Sequence, residues 1–224
     1  IDISKMPKVD VPHITYPKRT QKAAEGALRI LFLDASHFFS ADRTNEINAV
    51  EPPLGGMAIL SYLNEKFGDR IYGEIVKTGV DVDSMEELRA RVTAFRPNLF
   101  MLRTLTYYKD FFVDVVAELR KLFPDVPIVA GGPHPTIDPE DCLSRGGVDV
   151  CVIGEGELVC GELVGHMLQD GHFPDTETLK GIKGIAFRSE VQRHPEAAVS
   201  NKKRAIYARY PLWVRAGTEK AVHK

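Results

Sequence analysis

The chain has 224 residues, 44% hydrophobic and 27% charged, a composition that fits a globular protein with one sizeable core and excludes a disulfide-stapled miniprotein. Its 29 basic and 31 acidic residues leave a formal net charge of −2, which provides no field for gripping nucleic acid or an anionic membrane. Three cysteines, Cys142, Cys151 and Cys160, form an odd set without CxxC spacing. They read as reduced thiols and set the expectation of a cytoplasmic protein, with no apolar run near the roughly 18–20 residues of a membrane helix.

Residues 1–26 carry three prolines and scattered charge with no sustained period, and read as an extended arm or linker. Residues 27–34 (ALRILFLD) form a short apolar run rich in branched side chains and ending on a polar one, the pattern of a buried strand. A long connection over 35–52 follows, where about 2–6 residues is usual. Pro53 and Leu54 then open a helix that closes near Gly68, and residues 71–76 read as the second strand.

Ser84 and Glu87 are spaced as a capping box ahead of Met85, Leu88, Val92 and Phe95, which recur at helical spacing until Pro97. Residues 99–103 read as a third strand and 110–122 as a third amphipathic helix. Residues 127–130 and 148–153 give strands four and five, with helical segments around 139–144 and 158–169. Strands alternating with helices predict an α/β fold whose parallel sheet is covered on both faces, because parallel strands need crossover connections. Residues 27–172 make up this domain. Residues 173–224 read as an appendage with edge strands at 184–187 and 204–207, a hairpin that would lead toward a catalytic domain outside this sequence.

Ligands of open parallel sheets bind beyond the carboxyl ends of the strands, near the point where strand order reverses. The segments after strands one, three, four and five therefore matter most. Strand four runs into Gly131-Gly132-Pro133-His134-Pro135-Thr136. Two glycines there let a bulky ligand approach the backbone, and two prolines fix the path of the loop. A rigid tight turn is the plainer alternative. Strand five runs into Gly154-Glu155-Gly156-Glu157 ahead of a helix. Backbone N–H groups are exposed there, while the glutamates disfavour a phosphate at that spot and favour hydroxyl or amide donors.

Pro52-Pro53-Leu54-Gly55 with its helix, the GGPHPT segment and the GEGE segment occur in order and at matching strand ends. Together they resemble the cobalamin-binding domain that precedes the catalytic domain in cobalamin-dependent radical S-adenosylmethionine enzymes, over about residues 27–170. The resemblance implies a flavodoxin-like (Rossmann-like) five-stranded parallel sheet of order 2-1-3-4-5 with helices on both faces. It also implies cobalamin over the carboxyl edge, its nucleotide tail alongside the sheet. Carried over by position, Gly131 and Gly132 would admit the tail, with Pro133, His134 and Thr136 lining it. Gly154, Glu155, Gly156 and Glu157 would flank it from the next strand. Thr104 and Thr106, after Arg103, would face the corrin or its amides. Asp34, Ser36, His37 and Phe38 would lie near the cobalt's lower face, and Arg103, Pro53, Leu54 and Gly55 complete the cofactor-binding set.

Two departures from the family's patterns shape the expectation. Methylcobalamin proteins often carry D-x-H-x-x-G, whose histidine ligates cobalt. Here Asp34 and His37 are three apart rather than two, so a solvated loop histidine is preferred over a cobalt ligand. Radical S-adenosylmethionine chemistry needs a CxxxCxxC triplet, whereas the three cysteines are nine apart each time. An iron–sulfur cluster and S-adenosylmethionine are therefore expected only on a radical S-adenosylmethionine domain in cis or in trans.

The expected function is a cobalamin-binding module that positions the corrin for methyl transfer or radical chemistry. The alternative is a degenerate domain of the same type serving as a cofactor-free docking scaffold. A flavin- or nucleotide-binding flavodoxin-like protein, or a phospho-receiver, is less consistent with the chain. DASHFF stands where GxGxxG would follow strand one, and no lysine follows strand five.

Overall fold

The computed structural model describes residues 23–42, 51–145, 147–188 and the backbone of 206–208. Most of the expected arm at 1–26, part of the long first connection and most of the segment beyond 188 lie outside these residues. Strands β1 (Leu28–Asp34), β2 (Ile71–Lys77), β3 (Leu99–Arg103), β4 (Ile128–Gly131) and β5 (Val150–Val152) are joined by β6 (Ile185–Arg188) and β7 (Ile206–Ala208). They form one sheet of order β2-β1-β3-β4-β5-β6-β7.

The first five strands pair in parallel and follow the expected 2-1-3-4-5 order. The sheet has seven strands rather than five, because β6 and β7, which overlap the edge strands expected at 184–187 and 204–207, extend it. β6 pairs antiparallel with β5, and β7 antiparallel with β6. Ile185, Ala186 and Phe187 are buried, so β6 belongs to the core. A run this short signals a strand but not its direction or neighbour.

Side-chain alternation along the strands divides the core in two. Leu31, Leu33, Phe100, Leu102 and Ala130 face one side, against α2 (Met85–Phe95), α3 (Lys109–Leu122) and α5 (Pro139–Arg145). Ile30, Phe32, Met101, Val129 and Val152 face the other, against α1 (Leu54–Phe67), α6 (Glu157–Asp170) and α7 (Thr176–Gly181). Helix α2 begins as its sequence predicts: the Ser84 hydroxyl accepts the Glu87 N–H at 3.1 Å, satisfying one of the free amides of the first turn.

Helix α1 lies close on the sheet at Gly56, where a Cβ would stand 2.6 Å from the Phe32 ring. The segment after β4, read as a fixed loop, is instead a short helix α4 (Pro133–Ile137) with Pro133 in its first turn. Proline fits there because its preset φ is helical and the missing N–H has no partner to lose.

Candidate functional site

Between the sheet and helices α1 and α6, at the carboxyl edge, lies a cavity of about 450 Å³. That volume falls within the roughly 300–1,000 Å³ of small-molecule sites. Phe32, Met101, Val129 and Val152 from four adjacent strands form its apolar floor, with Ile59 and Cys160 from the helices. Arg103, Thr136, Glu155 and Glu157 supply polar groups around it. An apolar floor with a few polar groups around it suits a small-molecule ligand.

The two glycines after β4 have different causes. A Cβ on Gly131 would meet nothing nearer than the Val152 Cβ at 3.8 Å. Packing does not demand a glycine there, and any larger side chain would enter the cavity. Gly132 has φ +92°, and a Cβ on it would stand 3.0 Å from Arg103 Cγ and 3.3 Å from the Thr104 carbonyl. This glycine, which also lines the cavity, is required by its backbone conformation and by the Arg103 stem whether or not a ligand approaches it. Gly55 also lines the cavity, with no atom within 4 Å of a Cβ built on it.

Of the other expected residues, Pro133, Thr136, Gly154 and Gly156 line the cavity with Glu155 and Glu157. The Thr136 hydroxyl accepts the Gly154 N–H at 3.1 Å and so ties the two glycine-bearing segments together. His134 does not line the cavity: it is 2% exposed, with Nε2 3.1 Å from Asp141 of α5. It braces α4 against α5 from behind. Thr104 is buried, its hydroxyl donating to the Ala35 carbonyl at 3.3 Å. Thr106 starts a short 3-10 turn outside the lining, and Pro53 and Leu54 stand outside it at the start of α1.

His37 corrects the expectation of a solvated loop histidine. It is buried and stacked on Tyr108 at 6.3 Å and 22°, with Nδ1 3.1 Å from the Phe38 carbonyl. Phe38 packs edge-on against Tyr108 at 4.8 Å and Phe111 at 5.5 Å. These contacts place both residues on the α3 side, away from the cavity. The sequence gives no periodic signal for an aromatic cluster assembled from two separate connections.

Asp34 and Ser36 form a buried polar cluster with Arg103 and with Lys77, a residue that sequence reasoning missed. The Asp34 carboxylate accepts Lys77 Nζ at 3.0 Å and Arg103 Nη1 at 3.2 Å. Ser36 donates its hydroxyl to Asp34 and accepts from Lys77 at 3.1 Å and Arg103 at 2.9 Å. The signal was available: Lys77 directly follows the second strand expected at 71–76, and a 2-1-3 order sets that strand end beside Asp34.

Burial pushes the Cys160 thiol up to about 12, with Glu157 adding to the effect. Burial likewise raises Cys151, and Cys142 is buried too. Among the described residues no group of three or more His, Cys, Asp or Glu could hold a metal ion, and no helix is long and apolar enough to cross a membrane.

No curated protein matches the chain. Among solved structures, the fold is similar to that of the radical S-adenosylmethionine methyltransferase TsrM from Kitasatospora setae. The TM-score is 0.58 at 16% identity, covering 73% of this chain and 29% of that one. It is also similar to OxsB, a cobalamin-dependent S-adenosylmethionine radical enzyme solved with aqua-cobalamin. That TM-score is 0.59 at 13% identity, covering 83% of this chain and 23% of that one. The chain thus spans less than a third of either enzyme's length, and at these identities the likeness is one of fold. The family model described as the B12 binding domain matches residues 42–164. That match takes in more than half of the 224 residues, including the ends of β3, β4 and β5 beside the cavity, so the chain belongs to the B12-binding domain family.

Proposed function

We propose that the chain is a cobalamin-binding module that holds the corrin over the carboxyl edge with its nucleotide tail in the 450 Å³ cavity. The observation that carries this reading is the cavity itself, open beside a glycine that the protein's own packing does not require. Phe32, Met101, Val129 and Val152 would bury the flat base, and Thr136 offers a hydroxyl beside it. Glu155 and Glu157 accept hydrogen bonds from hydroxyl or amide donors, and Gly55 leaves room on the α1 wall. An open cavity favours this reading over a cofactor-free scaffold.

Bound cobalamin supplies a cobalt centre that carries a methyl group or takes part in radical chemistry, which the protein directs by placement and polarity. The second component is a radical S-adenosylmethionine domain in cis or in trans. Support comes from TsrM and OxsB, whose names join this fold to S-adenosylmethionine chemistry in much longer chains. The chain's own residues bind and orient the cofactor and exclude water from its tail.

The test is direct. The purified protein is incubated with hydroxocobalamin, desalted, and its visible spectrum recorded. Retained and shifted corrin bands are expected; a colourless protein contradicts the proposal.

A further inference from the structure

Four positions stand side by side along the carboxyl edge. Lys77 on β2 is the register partner of Asp34 on β1, which partners Arg103 on β3, which partners Gly131 on β4. Phe32 and Met101, two residues back from Asp34 and Arg103, form the cavity floor, so the row faces the cavity side of the sheet. Its charges run cation, anion, cation, and it then reaches a residue with no side chain.

Arg103 commits Nη1 to Asp34 and Ser36. Its Nε and Nη2 make no hydrogen bond among the described residues. Arg103 is also the only cation among those lining the cavity, and neither Glu155 nor Glu157 forms an ion pair with it. The α4 segment is shaped around it, since a side chain at position 132 would strike Arg103 Cγ. A guanidinium locked by one carboxylate and still presenting donors suits a second anionic oxygen, and its planar fork matches phosphate. The two glutamates repel an anion from the α6 end and leave the Arg103 corner for it.

We infer that Arg103, held by Asp34 and Ser36, receives the phosphodiester of cobalamin's nucleotide tail at the side-chain-free place above Gly131. The anion completes an alternating row, and Arg103 makes the site selective for corrinoids that carry a phosphate. This rests on the cobalamin reading above.

Affinities for cobinamide, cobinamide phosphate and cobalamin, measured by absorbance titration, separate the phosphate from the base. The wild type is expected to bind cobinamide phosphate roughly ten- to a hundred-fold tighter than cobinamide. Arg103→Gln should erase that step and keep the further gain from cobinamide phosphate to cobalamin. Gly131→Asp sets a carboxylate beside Arg103; it should melt higher than Gly131→Asn in the corrin-free protein and also lose the phosphate step. A wild type indifferent to the phosphate overturns the inference, as does a phosphate step that survives Arg103→Gln. So does a Gly131→Asp variant that melts no higher than Gly131→Asn. FMN, which carries a phosphate without a corrin, is the control ligand. A wild type that holds FMN or nothing in place of corrinoids refutes the cobalamin reading, while the melting comparison still decides whether Arg103 awaits an anion.

Discussion

The two faces of this sheet reach the carboxyl edge in opposite ways. On the α3 side, Phe38, Phe39, Tyr108 and Phe111 interlock edge to face at 4.8–5.5 Å and close the end of the core. On the α1–α6 side, Phe32, Met101, Val129 and Val152 lie beneath a cavity of about 450 Å³. Protein interiors seldom keep voids larger than a water molecule. An opening this size therefore reflects residue choice, with Gly131 and Gly55 standing where larger side chains would fit. One face closes on its own side chains and the other leaves space, which the proposed function assigns to the cofactor's tail.

Substitutions on each face can break or sharpen that contrast. The largest effect is expected on the closed face. Phe112, 1% exposed, loses about 3–5 kcal/mol on Phe112→Ala. Calorimetry should then show a melting temperature lower by roughly 10 °C, with corrin affinity measured well below the transition unchanged. On the open face Gly131→Leu should do the reverse. It fills the cavity and weakens corrin binding by about 100-fold or more in a titration, while melting stays level or rises. If the two variants exchange their effects, the division between the faces is wrong.

Smaller effects test the cavity wall and the buried histidine. The Cys160 thiol, raised to about 12, stays protonated at pH 8, so iodoacetamide should label it at least ~100-fold more slowly than in the denatured chain. Rapid labelling of the native protein would show the wall to be open to solvent. His37→Ala removes a stacked ring on the closed face and should cost on the order of 1 kcal/mol of stability. The spectrum of bound corrin should not change. A spectral shift would return His37 to the cobalt.

Regular alternation made the parallel core readable in advance. The runs ending at Asp34 and Arg103 give β1 and β3, and the capping spacing at Ser84 gives α2. The order 2-1-3-4-5 came from the family resemblance rather than from the residues, because periodicity does not encode neighbours. The strand at 184–187 was legible as an edge strand, but not that it would join the sheet antiparallel to β5, because direction and neighbour depend on the whole connection.

Within the site, glycine positions were legible, but their causes were not. Gly131 and Gly132 look alike in sequence. Only the positive φ of Gly132 and the nearby Arg103 stem separate a structural glycine from one that keeps space open. His37 and His134 drew attention as polar residues in loops, yet each is buried against partners distant in sequence or brought near by a turn. Lys77 went unnoticed because its role depends on lying beside Asp34 across the sheet.

The central claim is that the cofactor's tail leaves the cobalt and enters the cavity between the sheet and α1. Electron paramagnetic resonance of cob(II)alamin reports this directly, because a coordinated base splits the cobalt lines through its nitrogen. The account predicts that the splitting seen for free cob(II)alamin disappears on binding to the wild-type protein. Nitrogen splitting that persists in the bound cofactor would contradict it.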